Sequence, residues 1–114
     1  MKDFHNLRKW EKSYKLSLSG YGATEDFPRD ELYGITNQTR RASSSISASI
    51  AEGCGKDDDA DLRRSLLIAM GSSSELENYF LIAKDLGYLK HERYEELEKE
   101  LLDCGRCSML SFTS

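Results

Sequence analysis

The chain has 114 residues, of which 32% are charged and 39% apolar, with a net charge of −4 and a mean hydropathy of −0.61. That size predicts one domain, residues 1–114, with a modest core that association between copies would help to complete. No apolar run approaches the ~18 residues of a membrane span, one Pro leaves little material for a many-turned β fold, and no charged-then-apolar leader opens the chain. The expected setting is therefore the cytoplasm, without a membrane.

Charge is unevenly spread. Residues 1–56 carry nine Lys/Arg against seven Asp/Glu, whereas residues 57–114 carry seven against thirteen. The N-terminal half is thus slightly basic and the C-terminal half strongly acidic. Three cysteines, an odd count without a secretory signal, argue against a disulfide framework.

The first predicted helix covers about 6–24. Leu7, Trp10, Tyr14, Leu18 and Tyr21 recur at steps of three and four, one helical face that is expected to be its core face. Asn6 or Asp3 could cap it, and Gly20 and Gly22 should fray its last turns. In the following loop Phe27 is expected to tuck under the bundle while Pro28 stops the helix.

The second helix, about 32–54, holds a segment that alternates like a strand, Ser45-Ile46-Ser47-Ala48-Ser49-Ile50. Ile35, Thr39, Ala42, Ile46, Ser49 and Gly53 fall at alternating steps of four and three, and Ser is a poor strand former, so helix is the better reading. Its small inner residues would let a neighbouring helix approach closely. Gly53 and Gly55 are expected to end it in the left-handed conformation.

Asp57, Asp58 or Asp59 should cap a third helix of about 58–86. Its inward stripe is Leu62, Leu66, Ala69, Ser73, Leu76, Phe80 and Ala83, flanked by Leu67, Met70 and Tyr79. Gly87 should end it. The fourth helix, about 91–112, turns Tyr94, Leu97, Leu101, Cys104 and Ser108 inward, with Leu102, Met109 and Phe112 nearby and its glutamates mostly outward. Four amphipathic helices with short connections predict an all-α, antiparallel up-down four-helix bundle.

The stretches "DFHNLRKWEKSYKLSL", "FPRDELYGITNQTRRASSSISASIAEG", "SLLIAMGSSSELE" and "AKDLGYL" occur in this order and spacing. Together they resemble the four-helix-bundle family of 23S rRNA intervening-sequence proteins, over nearly the whole chain. The most specific mark is Ile50-Ala51-Glu52-Gly53, supported by Gly71-Ser72, Glu75-Leu76-Glu77 and Leu86-Gly87-Tyr88-Leu89. The resemblance implies an up-down bundle that assembles as a homo-oligomer, often a ring of five. It also implies a related group that serves as nucleic-acid-binding accessory protein to the reverse transcriptase of diversity-generating retroelements. It brings no catalytic residues. This chain departs from the family pattern with Ser47 and Ser49 in place of Pro and Asn, with smaller residues at Gly20, Ala23, Ser45 and Ser73, and with an acidic Asp57-Asp58-Asp59 where relatives carry Lys, Arg and Ser.

The residue types leave two readings of the surface. Arg40, Arg41, Lys56, Arg63 and Arg64 could contact phosphates, since Arg offers charge and a two-pronged donor. Alternatively they are solvated faces with some Arg paired to glutamates of the fourth helix. Trp10 and Tyr14 beside the basic first helix are assigned to the core rather than to base stacking. Glu52, near the unfavourable end of a helix dipole, is expected to find a partner: an Arg on a neighbouring helix or backbone N–H groups of the glycine turn. Its alternative is a ligand-binding carboxylate in a central channel.

Nothing in the sequence points to an enzyme, a cofactor, a metal or a small-molecule substrate. Cys104-Gly105-Arg106-Cys107 has thioredoxin-like spacing without the strand-to-helix setting that activates such thiols. Cys54 adds no second paired zinc motif, the aspartate run lacks calcium-loop spacing, and His5 and His91 have no signalled nucleophile. The expected function is that of a non-enzymatic oligomeric bundle binding RNA or a ribonucleoprotein, and the alternative is an oligomeric scaffold whose partner is a protein.

Overall fold

The computed structural model describes residues 4–56 and 58–107. It is all-helical and forms an antiparallel four-helix bundle from α1 (Phe4–Ala23), α2 (Asn37–Cys54), α3 (Asp59–Asp85) and α4 (His91–Leu101). Short 3-10 turns at Thr24–Asp26 and Arg29–Glu31 and a π-turn at Leu32–Thr36 connect α1 to α2, and a second π-turn at Leu102–Cys107 follows α4. No helix among the described residues is long and apolar enough to cross a membrane.

The aliphatic core sits between α2, α3 and α4. All seven stripe positions of α3 are buried, and Leu66, Leu76 and Phe80 are sealed from solvent against Ile46, Ile50 and Leu97. Asp58 caps α3 through its side-chain Oδ1, which accepts from the Ala60 N–H at 2.9 Å. At the other end Gly87 adopts φ +82°, the left-handed conformation that favours glycine. The Tyr88 N–H then reaches the Ala83 carbonyl (2.8 Å) and the Gly87 N–H the Lys84 carbonyl (3.0 Å), the paired bonds of a Schellman stop. Phe27 is buried under this end, its ring 5.7 Å from that of Tyr88.

The seam between α1 and α2 is built differently. Its buried residues are Ser13, Ser17 and Gly20 from α1 against Ser43 and Ser47 from α2, with Leu16 as the large apolar contribution. The Ser17 hydroxyl lies within hydrogen-bonding reach of the Ser43 carbonyl and of the Ser13 carbonyl (3.0 Å) and Ser47 Oγ (3.0 Å). One hydroxyl proton serves one acceptor at a time, so the serines share donors and acceptors as a cluster. Ser43 Oγ donates to the Thr39 carbonyl at 2.7 Å. A methyl group on Gly20 would overlap the Ser43 hydroxyl and lie 2.8 Å from its Cβ, so only glycine lets the helices come this close.

This seam overturns the expected orientation of α1. Leu7, Tyr14, Leu18 and Tyr21 are exposed rather than inward, and Trp10 is only half-buried against the core. The helix is turned by its small residues: Ser13, Ser17 and Gly20 repeat the same four-then-three spacing and permit a close, hydrogen-bonded contact that bulky rings would block. The expected fraying at Gly20 and Gly22 does not occur, because Gly20 is clamped in the seam and α1 runs on to Ala23. α1 begins at Phe4, so Asn6 lies inside it, and Asp3 is outside the described residues.

Two further expectations are corrected. α2 ends without a left-handed residue: Gly55 has φ −81°, and its N–H bonds the Ala51 and Glu52 carbonyls. Gly53 instead serves packing, since a Cβ there would stand 2.6 Å from that of Ser65. The regular part of the fourth helix stops at Leu101, eleven residues short of the expected end, and Leu102 is exposed on the π-turn. Ser108, Met109 and Phe112 lie outside the described residues.

Candidate nucleic-acid interface

The five cations singled out from sequence are held by three different local settings. Arg40 is tied down: its Nε donates to Thr24 Oγ1 at 2.9 Å, and its guanidinium carbon lies 5.8 Å from the centre of the Tyr21 ring. It thereby locks α2 to the end of α1. Arg41 is exposed and lines a groove of about 260 Å³ between α2 and α3, together with Gln38, Ser45, Ser72 and the acidic Glu75. Lys56 and Arg64 line a second groove of about 100 Å³ near the α2–α3 connection, with Glu52 and Asp61. The centres of the two grooves are about 16 Å apart along the α2 axis, from the rise per residue. Arg63 is exposed on α3 beside them.

Acidic groups temper the second groove. Arg64 Nη2 lies 3.4 Å from Asp61 Oδ1, one helical turn away and largely in solvent, a pair of small energetic weight. Among the described residues none of these arginines pairs with α4. The arginine that does meet an α4 glutamate is α4's own, Arg93 to Glu96 at 3.2 Å. Glu52 is exposed, and among the described residues its carboxylate makes no hydrogen bond or ion pair. Its side chain is open to solvent, and the groove with Lys56 puts a cation one turn onward.

The cation-rich surface that sequence reasoning placed second is α1. Arg8 and Lys15, seven residues apart, are exposed and without a partner among the described residues. Lys12 is spent on Asp103 at 3.4 Å. Beside Arg8 and Lys15 runs the outward stripe of Leu7, Tyr14, Leu18 and Tyr21. Trp10 and Tyr14 stack with centroids 5.1 Å apart and an interplanar angle of 19°. Trp10 is anchored on the core, and Tyr14 remains 46% exposed. The signal that could have revealed this face was the competing Ser13, Ser17, Gly20 stripe, which pairs in kind with Ser43 and Ser47.

The remaining groups singled out from the sequence lie in separate settings. Cys104 is buried, and that burial, reinforced by Asp103, pushes its thiol up to about 12, far from a reactive thiolate. The side chain of Cys107 lies outside the described residues. Cys54 is buried as well. His91 is exposed on α4 with its Nε2 2.9 Å from Glu95. No group of three or more His, Cys, Asp or Glu converges to metal-binding geometry among the described residues.

Three comparisons bear on this arrangement. A family model described as 23S rRNA-intervening sequence protein matches residues 5–109. The fold superposes on a crystal structure of a protein of unknown function from the S23 ribosomal protein family of Bacteroides thetaiotaomicron, with a TM-score of 0.86 at 18% identity over 97% of this chain and 100% of that one. No protein of curated function matches the chain.

Proposed function

The chain belongs to the 23S rRNA-intervening sequence protein family, and from that premise we propose that it is a non-catalytic, cytoplasmic bundle that binds RNA. The observation that carries this reading is the unpaired basic face of α1, where Arg8 and Lys15 stand free in solvent on the half of the chain with positive balance. Arg41, Lys56, Arg63 and Arg64 add outlying phosphate contacts, weakened by Glu75, Glu52 and Asp61 in the same grooves. Phosphate binding of this kind releases counterions, so affinity must fall as salt rises. Fluorescence anisotropy with a labelled RNA at 50 and 200 mM salt tests it. Binding that weakens between the two supports the proposal, and no binding at 50 mM, or binding indifferent to salt, overturns it.

The same protein is read as a homo-oligomer, a ring of five by family resemblance, and a specific feature favours that second role. The outer face of α3 exposes Leu67 and Ile68 beside Gly71, and Leu81, Ile82 and Leu86 near its end. Gly71 costs the helix about 1 kcal/mol relative to Ala, and beyond its own stretch of helix backbone no atom of the chain lies within 4 Å of the space a Cβ would fill. A scaffold role with a protein partner uses the same face. Light scattering at micromolar concentration decides the assembly, a monomer being the result that sinks it. Pull-down after nuclease treatment separates a protein partner from an RNA-tethered one.

A further inference from the structure

The outward stripe of α1 goes beyond charge. Phosphate contacts alone treat single and double strands alike, because both present a backbone. A protein that stacks bases does not, since a duplex hides its base faces inside the helix. α1 carries the parts for stacking. The ring of Tyr14 is backed by the ring of Trp10, which is itself held against the core, so its orientation is fixed without a ligand. Tyr21 lies seven residues further on, 44% exposed, with the Arg40 guanidinium against its ring. Leu18, 56% exposed, sits between them. Arg8 and Lys15 run parallel to this row about a third of a turn further round the same helix, and Glu11, the one acid on α1, projects between the row and the cations.

We infer that α1 is a binding platform for unpaired nucleotides of an RNA strand, with bases stacking on Tyr14 and Tyr21 while Arg8 and Lys15 hold the adjacent phosphates. The inference rests on the RNA-binding reading and narrows it to single-stranded segments. Charge complementarity selects the occupant: a second copy of this acidic chain would bring its own α1 cations against Arg8 and Lys15 in a symmetric contact, whereas a polynucleotide brings phosphates. The spacing also fits. Seven helical residues rise about 10.5 Å, room for about three nucleotides at the 3.4 Å separation of a stacked strand. Both rings sit on one rigid helix clamped by the Gly20–Ser43 contact, so the platform needs no ordering on binding.

The test compares a 12-nucleotide oligoadenylate with a 12-base-pair RNA duplex by anisotropy, for the wild-type chain, Tyr14→Ser, Tyr14→Phe and the double variant Arg8→Ser, Lys15→Ser. Tyr14→Ser should weaken the single strand roughly 5- to 150-fold, the range expected for one lost stacking contact, and leave the duplex unchanged. Tyr14→Phe should retain single-strand binding, because the ring and not the hydroxyl does the stacking. The double charge variant should weaken both RNAs and flatten their salt dependence. Trp10, the sole tryptophan, reports the same event as a change in fluorescence on adding oligoadenylate but not duplex. Since Tyr14 is exposed, its variants should keep the wild-type circular dichroism. Equal affinity of Tyr14→Ser and wild type for oligoadenylate overturns the platform while leaving salt-dependent RNA binding standing. A change in particle mass with Tyr14→Ser assigns the face to a second copy and overturns it too. Failure of both RNAs to bind at 50 mM salt removes both readings.

Discussion

The α1–α2 seam and the α2–α3–α4 core hold the same bundle together by different means. The core relies on volume: Leu66, Leu76, Phe80 and Leu97 fill it, and their removal from water supplies the driving force. The seam relies on proximity: Gly20 admits Ser43, and the Ser17 hydroxyl reaches the Ser43 carbonyl and Ser47 Oγ across the contact. Hydrogen bonds exchanged against water return only about 1 kcal/mol each. Apart from Leu16 and the half-buried Trp10, α1 is therefore fastened by fit more than by hydrophobic burial, and Leu7, Tyr14, Leu18 and Tyr21 are left over for the outside. α1 thus gives the core only Leu16 and Ala23 as fully buried apolar residues, whereas α3 has its stripe fully committed.

The largest blow to this contrast comes from the core. Phe80→Ala should cost about 3–5 kcal/mol, seen as a lowered urea midpoint with unchanged slope. A cost below 1 kcal/mol would mean that the core collapses around the cavity and that volume is not what holds it.

Alkaline pH separates the two regions next. Cys104 belongs to the core, 3% exposed, and its thiol ordinarily titrates near 9 but is pushed up to about 12 in the fold. A folded-state value above the unfolded one favours the protonated form, so its contribution is intact below pH 9 and is lost as pH climbs from 9 to 12. Over that window stability should fall at a slope approaching about 1.4 kcal/mol per pH unit. Cys104→Ala should remove that component of the slope. The serine hydroxyls of the seam do not titrate there, so Ser17→Ala should leave the alkaline slope as it is.

Gly20→Ala probes the seam itself. The added methyl meets Ser43, and forcing the helices apart should cost about 1–3 kcal/mol. Combining it with Ser43→Gly, which removes the obstructing atoms, should recover part of that loss, so the double variant is more stable than the summed single effects. Strict additivity would show that the two residues do not meet as tightly as the seam requires. The α3 cap is a further, smaller step: Asp58→Ala should cost about 1 kcal/mol and Asp58→Asn little, because Asn keeps an oxygen for the Ala60 N–H.

The same contrast explains what could be read from sequence. The α3 stripe was legible because burial there follows hydrophobicity, and Leu62 to Ala83 obey one period. The Asp58 cap and the Gly87 stop were legible because their chemistry is local. α1 was not, because two faces compete at the same spacing, and the ring-bearing one is the more hydrophobic. Choosing correctly required knowing that Gly20 would face Ser43, a tertiary fact. Glu52 finds no partner within its own chain among the described residues, and an exposed carboxylate at a helix C-terminus can do without one because solvent reaches it. In sequence Arg41 groups with Lys56 and Arg64 as one candidate surface, although helix length alone places them in separate grooves, and the capture of Arg40 by Thr24 depended on where α1 ends.

One contact joins the two regions at their shared end. The Tyr88 hydroxyl, from the turn between α3 and α4, donates to Glu31 Oε2 at 2.8 Å in the connection between α1 and α2. Its phenol is raised above the ordinary value, first by that hydrogen bond, then by desolvation and the nearby charges of Glu31 and Asp30. The tie is therefore complete below pH 10 and is lost as pH rises through the raised value. It spans segments that each have other anchors, Phe27 on one side and the Schellman stop on the other. Tyr88→Phe should accordingly leave the urea midpoint near wild type and raise amide hydrogen exchange in the stretch 29–36, where the backbone departs from helical geometry at Gly34. A midpoint shift as large as that of Gly20→Ala would mean that seam and core are fastened mainly through this loop contact rather than along the faces of α2.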